Sequence, residues 1–93
     1  MAHDHKFFAA LSCPNQVTWT ADIQKMFTAM DIAHMKTKGI DLSNYQSVMI
    51  NAVSIYNQVQ SGNMPPPQSG EKPWSPAWVA TFGCWIQQGC PEN

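Results

Sequence analysis

The stretch Asp31-Ile32-Ala33-His34-Met35 places a carboxylate, an imidazole and a thioether within five consecutive residues. Asp31 and His34 are three positions apart, so on a helical turn they share a face, and a carboxylate there orients an imidazole and strengthens it as a base. That is the pairing wanted for general-base catalysis or for a metal-binding histidine. The competing reading is structural: His34 continues the apolar spacing of Ile23, Phe27 and Met30, which describes a half-buried histidine with one hydrogen bond. Asp31 and His34 alone do not make an active site, and no Ser or Cys nucleophile lies at a diagnostic spacing from them. A metal needs three or four ligands, and the donors available are His3, His5, His34, Asp4, Asp31 and the cysteines. His3 and His5 are close enough to the amino terminus to take copper or nickel with backbone nitrogens if Met1 is retained. Met before Ala is ordinarily removed, so no resident metal is expected.

The elements that must carry these residues belong to one small domain of 93 residues, enough for a modest core. Hydrophobic residues make up 44% and charged residues 12%, so Gln, Asn, Ser and Thr must supply much of the surface. A net charge of -1 gives no electrostatic footprint for nucleic acid or an anionic membrane, and neither is expected as a partner. The first residues carry no apolar run long enough for a secretory signal, and no run approaches a transmembrane span; the expected location is cytoplasmic, a processed periplasmic form being the alternative.

Residues 1–17 form an N-terminal segment with a short helix capped by Asp4 and carrying Phe7, Phe8 and Leu11 on its apolar side. The domain proper spans 18–93. Its first helix is expected from Thr18, with Trp19, Ile23, Met26, Phe27 and Met30 at helical spacing. A turn at "KTKG" leads to two helices in tandem, one with Leu42, Tyr45, Val48 and Met49, the next with Ala52, Ile55, Tyr56 and Val59, ended by Gly62. "NMPPPQSGEKPW" holds four of the seven prolines and reads as a rigid extended loop. The last helix has Ser75 as N-cap, Pro76 at its first position and Gly89 at its stop, with Trp78, Val79, Phe82, Trp85 and Ile86 as its core stripe. Its other side carries small residues, Ala77, Ala80, Thr81, Gly83 and Cys84, which admit a close neighbour. The fold class is all-α, with four or five helices.

The ordered set "IQxxF", "GxDLSxY", "YxxVxxGxMPPP", "WS" and "FxxWIxxGCP" resembles small class I cytochromes c, and among them the cytochrome c-like modules of bacterial multidomain proteins. The resemblance runs over about Asp22 to Pro91. In that family the first helix is followed by Cys-x-x-Cys-His, whose cysteines bind the haem vinyls and whose His binds iron. Here Asp31 and His34 replace the cysteines and Met35 replaces the His, so covalent c-type haem is excluded at that site and no cofactor is expected. The family's second axial ligand is a Met of the Pro-rich loop, and Met64 stands there. With His34 or Met35 opposite, it implies a non-covalent haem site; the alternative is a core plug packed on the tryptophans. The family packs its terminal helices together, so Cys13 bridged to Cys84 or Cys90 is what the resemblance implies in an oxidising compartment. Three buried free thiols are the expectation for cytosol, and the cytoplasmic location favours them.

Three functions follow as expectations. The leading one is a haem-free cytochrome c-like module acting as a protein-interaction or accessory subunit, with another protein or a second copy as partner and Trp74, Trp78 and the "MPPP" loop as interface. The second is small-molecule binding or catalysis in the vacated haem space, using Asp31 and His34 with Tyr45, Tyr56 and Met64 nearby. The third is a non-covalent haem or copper electron-transfer protein.

Overall fold

The helix expected from Thr18 is broken in two. The computed structural model describes residues 7–93, apart from the side chain of Pro67. A short 3-10 helix, η1, spans Ile23–Met26; Phe27 is extended at φ -93° and ψ 129°; and α1 then spans Ala29–Lys36. The cause of the break is local. Thr28 Oγ1 accepts the Asp31 N–H at 3.1 Å while Asp31 Oδ2 accepts the Thr28 N–H at 3.0 Å, a reciprocal cap that starts a fresh helix. Burial follows the break: Trp19, Ile23, Met26 and Phe27 enter the core, whereas Met30 on the new helix is 47% exposed.

Three further α-helices follow: α2 (Tyr45–Ile50), α3 (Ala52–Ser61) and α4 (Pro76–Gln87). No strand occurs among the described residues, and the fold is all-α. The Asn44 side chain accepts the Ser47 N–H to cap α2, and Asn51 separates α2 from α3. All four residues of the α3 stripe, Ala52, Ile55, Tyr56 and Val59, are buried, and Gly62 ends the helix in the left-handed region at φ 83°. The proline loop is not extended throughout. Pro67–Ser69 forms a second 3-10 helix, η2, tolerated because a proline opening a helical turn lacks only an N–H that would be unpaired there anyway. Pro65 and Pro66 before it are buried.

The last helix, α4, starts as the sequence specifies, with Ser75 Oγ accepting the Trp78 N–H. It packs against α3. Phe82 and Trp85 of its stripe are fully buried and Val79 and Ile86 half-buried, but Trp78 is 45% exposed. Trp74 is the reason: its ring lies 5.6 Å from Phe27 and 6.0 Å from Phe82, so the core is closed beneath Trp78 by another indole.

A disulfide joins Cys13 to Cys84, with Cα atoms 5.6 Å apart, while Cys90 is a buried free thiol. The expectation of three free thiols is thereby corrected. The N-terminal segment reaches α4 because Gly83 leaves no side chain in the way: a Cβ there would lie 2.8 Å from Leu11 Cδ1 and 3.2 Å from Tyr56 Cε2. Gln87 Nε2 fastens the same segment by donating to the carbonyls of Phe8 and Leu11, each at 2.7 Å. Residues 7–9 are helical and Phe8 is buried, but Phe7 is 49% exposed rather than apolar-facing. The expected Asp4 cap lies outside the described residues, as do His3 and His5. No helix among the described residues is long and apolar enough to cross a membrane.

Candidate functional site

Asp31 and His34 share α1 but do not act on each other. Asp31 is 1% exposed, and its Oδ2 is committed to the backbone N–H of Thr28. Its Oδ1 is buried with no hydrogen-bond partner. A carboxylate in the first turn of a helix is drawn back to the free N–H groups of that end, and here the cap outcompetes the imidazole. Thr28 Oγ1 in turn donates to Glu71 Oε1 at 3.0 Å, tying the start of α1 to the segment before α4. The expected acid–base pair is therefore replaced by a structural cap.

His34 belongs instead to a groove that gathers the residues singled out as axial-ligand candidates. His34, Met35 and Met64 all line one cavity of about 230 Å³. Its floor is apolar, made by Met35, Ile40, Ile55 and Met64; Met64 is 2% and Met35 6% exposed. Its rim holds His34, Lys38, Ser54, Gln58 and Asn63. The position of Met64 is set by α3, because the Gln58 carbonyl accepts the N–H groups of both Asn63 and Met64, at 2.9 and 3.1 Å. The Met64–Pro65 peptide is cis. Nothing in the sequence marks Lys38, Gln58 or Asn63: a turn lysine and surface amides read as solvated residues, and only the fold, which sets α1 and the turn after it beside α3 and the residues that follow it, brings them together.

The two tyrosines expected near that space lie elsewhere. Tyr45 Oη donates to the Cys90 carbonyl at 2.6 Å, and its ring packs beside Trp19 and Trp85 at 6.0 and 6.3 Å. Tyr56 is buried edge-on against Phe8 at 5.0 Å, and burial pushes its phenol above the usual range. Neither lines the groove. Among the described residues no group of three or more His, Cys, Asp and Glu side chains is placed to hold a metal ion.

Trp74 and Trp78 form a second feature. Their rings meet edge to face at 5.6 Å, the half-buried Trp74 anchored on the core and Trp78 facing outward. Beside Trp74 a shallow hollow of about 360 Å³ is lined by Val59, Gly62, Pro73, Trp74, Pro76 and Val79. The prolines of this face are Pro73 and Pro76, in place of the expected "MPPP" loop, whose Pro65 and Pro66 are buried beneath the surface.

No family model matches the chain, and no solved structure matches it. Two curated proteins are similar: the cyclopenase penL of Penicillium thymicola and the cyclopenase asqI of Emericella nidulans. Each is 34% identical over 90 residues, covering 86% of this chain. The chain spans only 12% of the length of each of these relatives.

Proposed function

We propose that this chain is a haem-free helical module that works by docking on another protein, as an accessory or interaction unit of an enzyme. The observation that carries the reading is the Trp74–Trp78 pair: an indole 45% exposed, held by a second indole that is fixed on Phe27 and Phe82 and itself lines a proline-edged hollow. Tryptophans are over-represented among residues that dominate binding energy, and one already fixed in place loses little entropy on docking. The relatives supply the kind of partner. In both cyclopenases the similar segment is a small part of a much longer polypeptide, so the apolar face has a large enzyme body as its natural neighbour.

We propose the cytochrome c-like framework on the ordered sequence resemblance alone. What supports a chain without covalent haem is its chemistry: Asp31 and His34 carry no thiols, so the thioether bonds to the haem vinyls cannot form at that position. A catalytic role for Asp31 with His34 has no support in their geometry, since Asp31 is occupied in capping.

The test uses the Emericella nidulans cyclopenase with its similar segment removed, checked for retained helical circular dichroism, and this chain added in trans. Size-exclusion chromatography with light scattering is expected to show a one-to-one complex. Trp78→Ala is expected to weaken it about tenfold or more, the effect of losing a tryptophan anchor. A complex indifferent to Trp78, or none with a folded partner, overturns the reading.

A further inference from the structure

We infer that the groove between α1 and α3 binds a small amphiphilic carboxylate, its apolar body on the methionine floor and its carboxylate at the Lys38 and His34 rim. The inference is independent of the docking reading, because the groove shares no lining residue with the hollow at Trp74 or with the one at Trp78.

Size sets the first limit. A dry cavity of about 150 Å³ lined by aliphatic and aromatic groups holds a benzene molecule. At about 230 Å³ this groove has room for a body of that size and a small polar group, but not for a large cofactor. Chemistry sets the second. Met35 and Met64 supply flexible, polarizable thioethers that adapt to a ring or a short alkyl chain, and Ile40 and Ile55 complete an apolar floor. Around the rim, Lys38 and His34 can carry positive charge, Gln58 and Asn63 offer amide donors, and no acidic side chain lines the groove. The side-chain hydrogen bonds of the described residues leave these groups uncommitted; at His34 only the backbone carbonyl is used, accepting from Thr37 Oγ1 at 2.7 Å.

The nearby end of α1 is the one feature that opposes an anion, since helix C-termini present free carbonyls. Here they are answered locally. The Met35 carbonyl accepts the N–H groups of Lys38 and Ile40, that of Lys36 accepts Gly39 N–H, and that of His34 accepts the Thr37 hydroxyl. Asp41, the acid nearest Lys38 in sequence, is occupied by the Ser43 hydroxyl and N–H, which in that order hold its carboxyl below the usual range. The Lys38 ammonium therefore remains available to a ligand.

The test is methyl NMR on methionine-labelled protein titrated with phenylacetate and with its neutral analogue phenylacetamide. Phenylacetate is expected to shift the Met35 and Met64 methyls saturably while leaving Met26 and Met49 unmoved, and phenylacetamide to bind at least about fivefold more weakly. Lys38→Met is expected to weaken phenylacetate by a similar factor and leave phenylacetamide unchanged. Ser54→Trp, a change on the exposed rim that spares the core, is expected to block both. Absence of saturable shifts at ~10 mM probe, or equal affinity for the two probes, overturns the proposal. So does indifference to Lys38→Met.

Discussion

Cys90 combines a left-handed backbone, at φ 56°, with a buried side chain. The conformation is uncommon for a residue with a Cβ, and it follows directly on Gly89 at φ 86°. What holds it is the set of bonds around it: its N–H donates to the Trp85 carbonyl at 2.9 Å, and its own carbonyl accepts Tyr45 Oη. Burial pushes its thiol from 9.0 up to about 11 because the thiolate would be desolvated. The folded chain thus keeps this proton more tightly than the unfolded chain does. Its contribution to stability is complete below pH 9.0 and is lost as pH rises from there through about 11. Alkylation by iodoacetamide should reflect this, with the native protein nearly inert at about pH 8 and its rate climbing toward a midpoint near 11, while urea-unfolded protein titrates near 9.0. Native protein reacting at the unfolded rate at the lower pH would mean that the thiol is not sheltered. The helix stop at Gly89 is legible in the sequence; the second left-handed residue is not, because nothing about a cysteine announces it.

Among the elements, α4 comes close to α3 and to the N-terminal segment at Gly83, where no side chain holds them apart. Two effects compete in Gly83→Ala. Alanine is favoured over glycine inside a helix by about 1 kcal/mol, but its Cβ would lie 2.8 Å from Leu11 Cδ1 and 3.2 Å from Tyr56 Cε2. Leu11 is half-buried and contacts the new atom through the tip of a flexible side chain, so it can move aside; the Tyr56 ring, packed on Phe8, yields less. The net change for alanine is expected within about 1 kcal/mol of zero, whereas Gly83→Val adds branching with nowhere to go and should cost about 2–3 kcal/mol. Urea denaturation of the two variants separates the cases, and a valine variant as stable as the parent would show that the contact is loose. The small-residue side expected on α4 holds only in part: Gly83 and Cys84 are buried, Thr81 is half-buried, and Ala77 and Ala80 are exposed. The break before α1 was harder to read: Ile23, Met26 and Phe27 keep a helical spacing across it, and the Thr28-x-x-Asp31 cap lies inside that run. Periodicity reports which residues face the core, and it reported correctly through Phe27; it does not report whether the backbone stays helical between them. Met30 fell on the wrong side for that reason.

At the scale of the whole molecule, the all-α class, the terminal helix and its caps were legible because each rests on local chemistry. The groove was not, since it depends on which elements meet; the Asp31 cap is local chemistry too, but it sits inside a run that keeps helical spacing and so is masked by it. The Cys13–Cys84 bridge belongs to this scale as well: it spans 71 residues, most of the chain, and so acts chiefly on the unfolded ensemble. Closing a loop of that length removes conformational entropy equivalent to about 4 kcal/mol. Domains of this size have total stabilities of only about 5–15 kcal/mol, so the bridge accounts for a large share. Helix packing alone leaves a marginal margin, because a small domain buries a limited fraction of its surface. The double variant Cys13→Ser, Cys84→Ser should therefore unfold at a lower temperature, by about 15–30 °C, at the ~4–8 °C per kcal/mol typical of such domains. The loss should fall first on the N-terminal segment: once untethered, residues 7–17 retain the Gln87 and Gln88 side-chain bonds and the packing of Phe8, and hydrogen exchange there should quicken before it does in α3 and α4. Differential scanning calorimetry with exchange mass spectrometry measures both effects. A shift of a few degrees with uniform exchange would mean that the helices stand without the bridge, and that residues 7–17 are held well enough by the Gln87 and Gln88 bonds and the packing of Phe8.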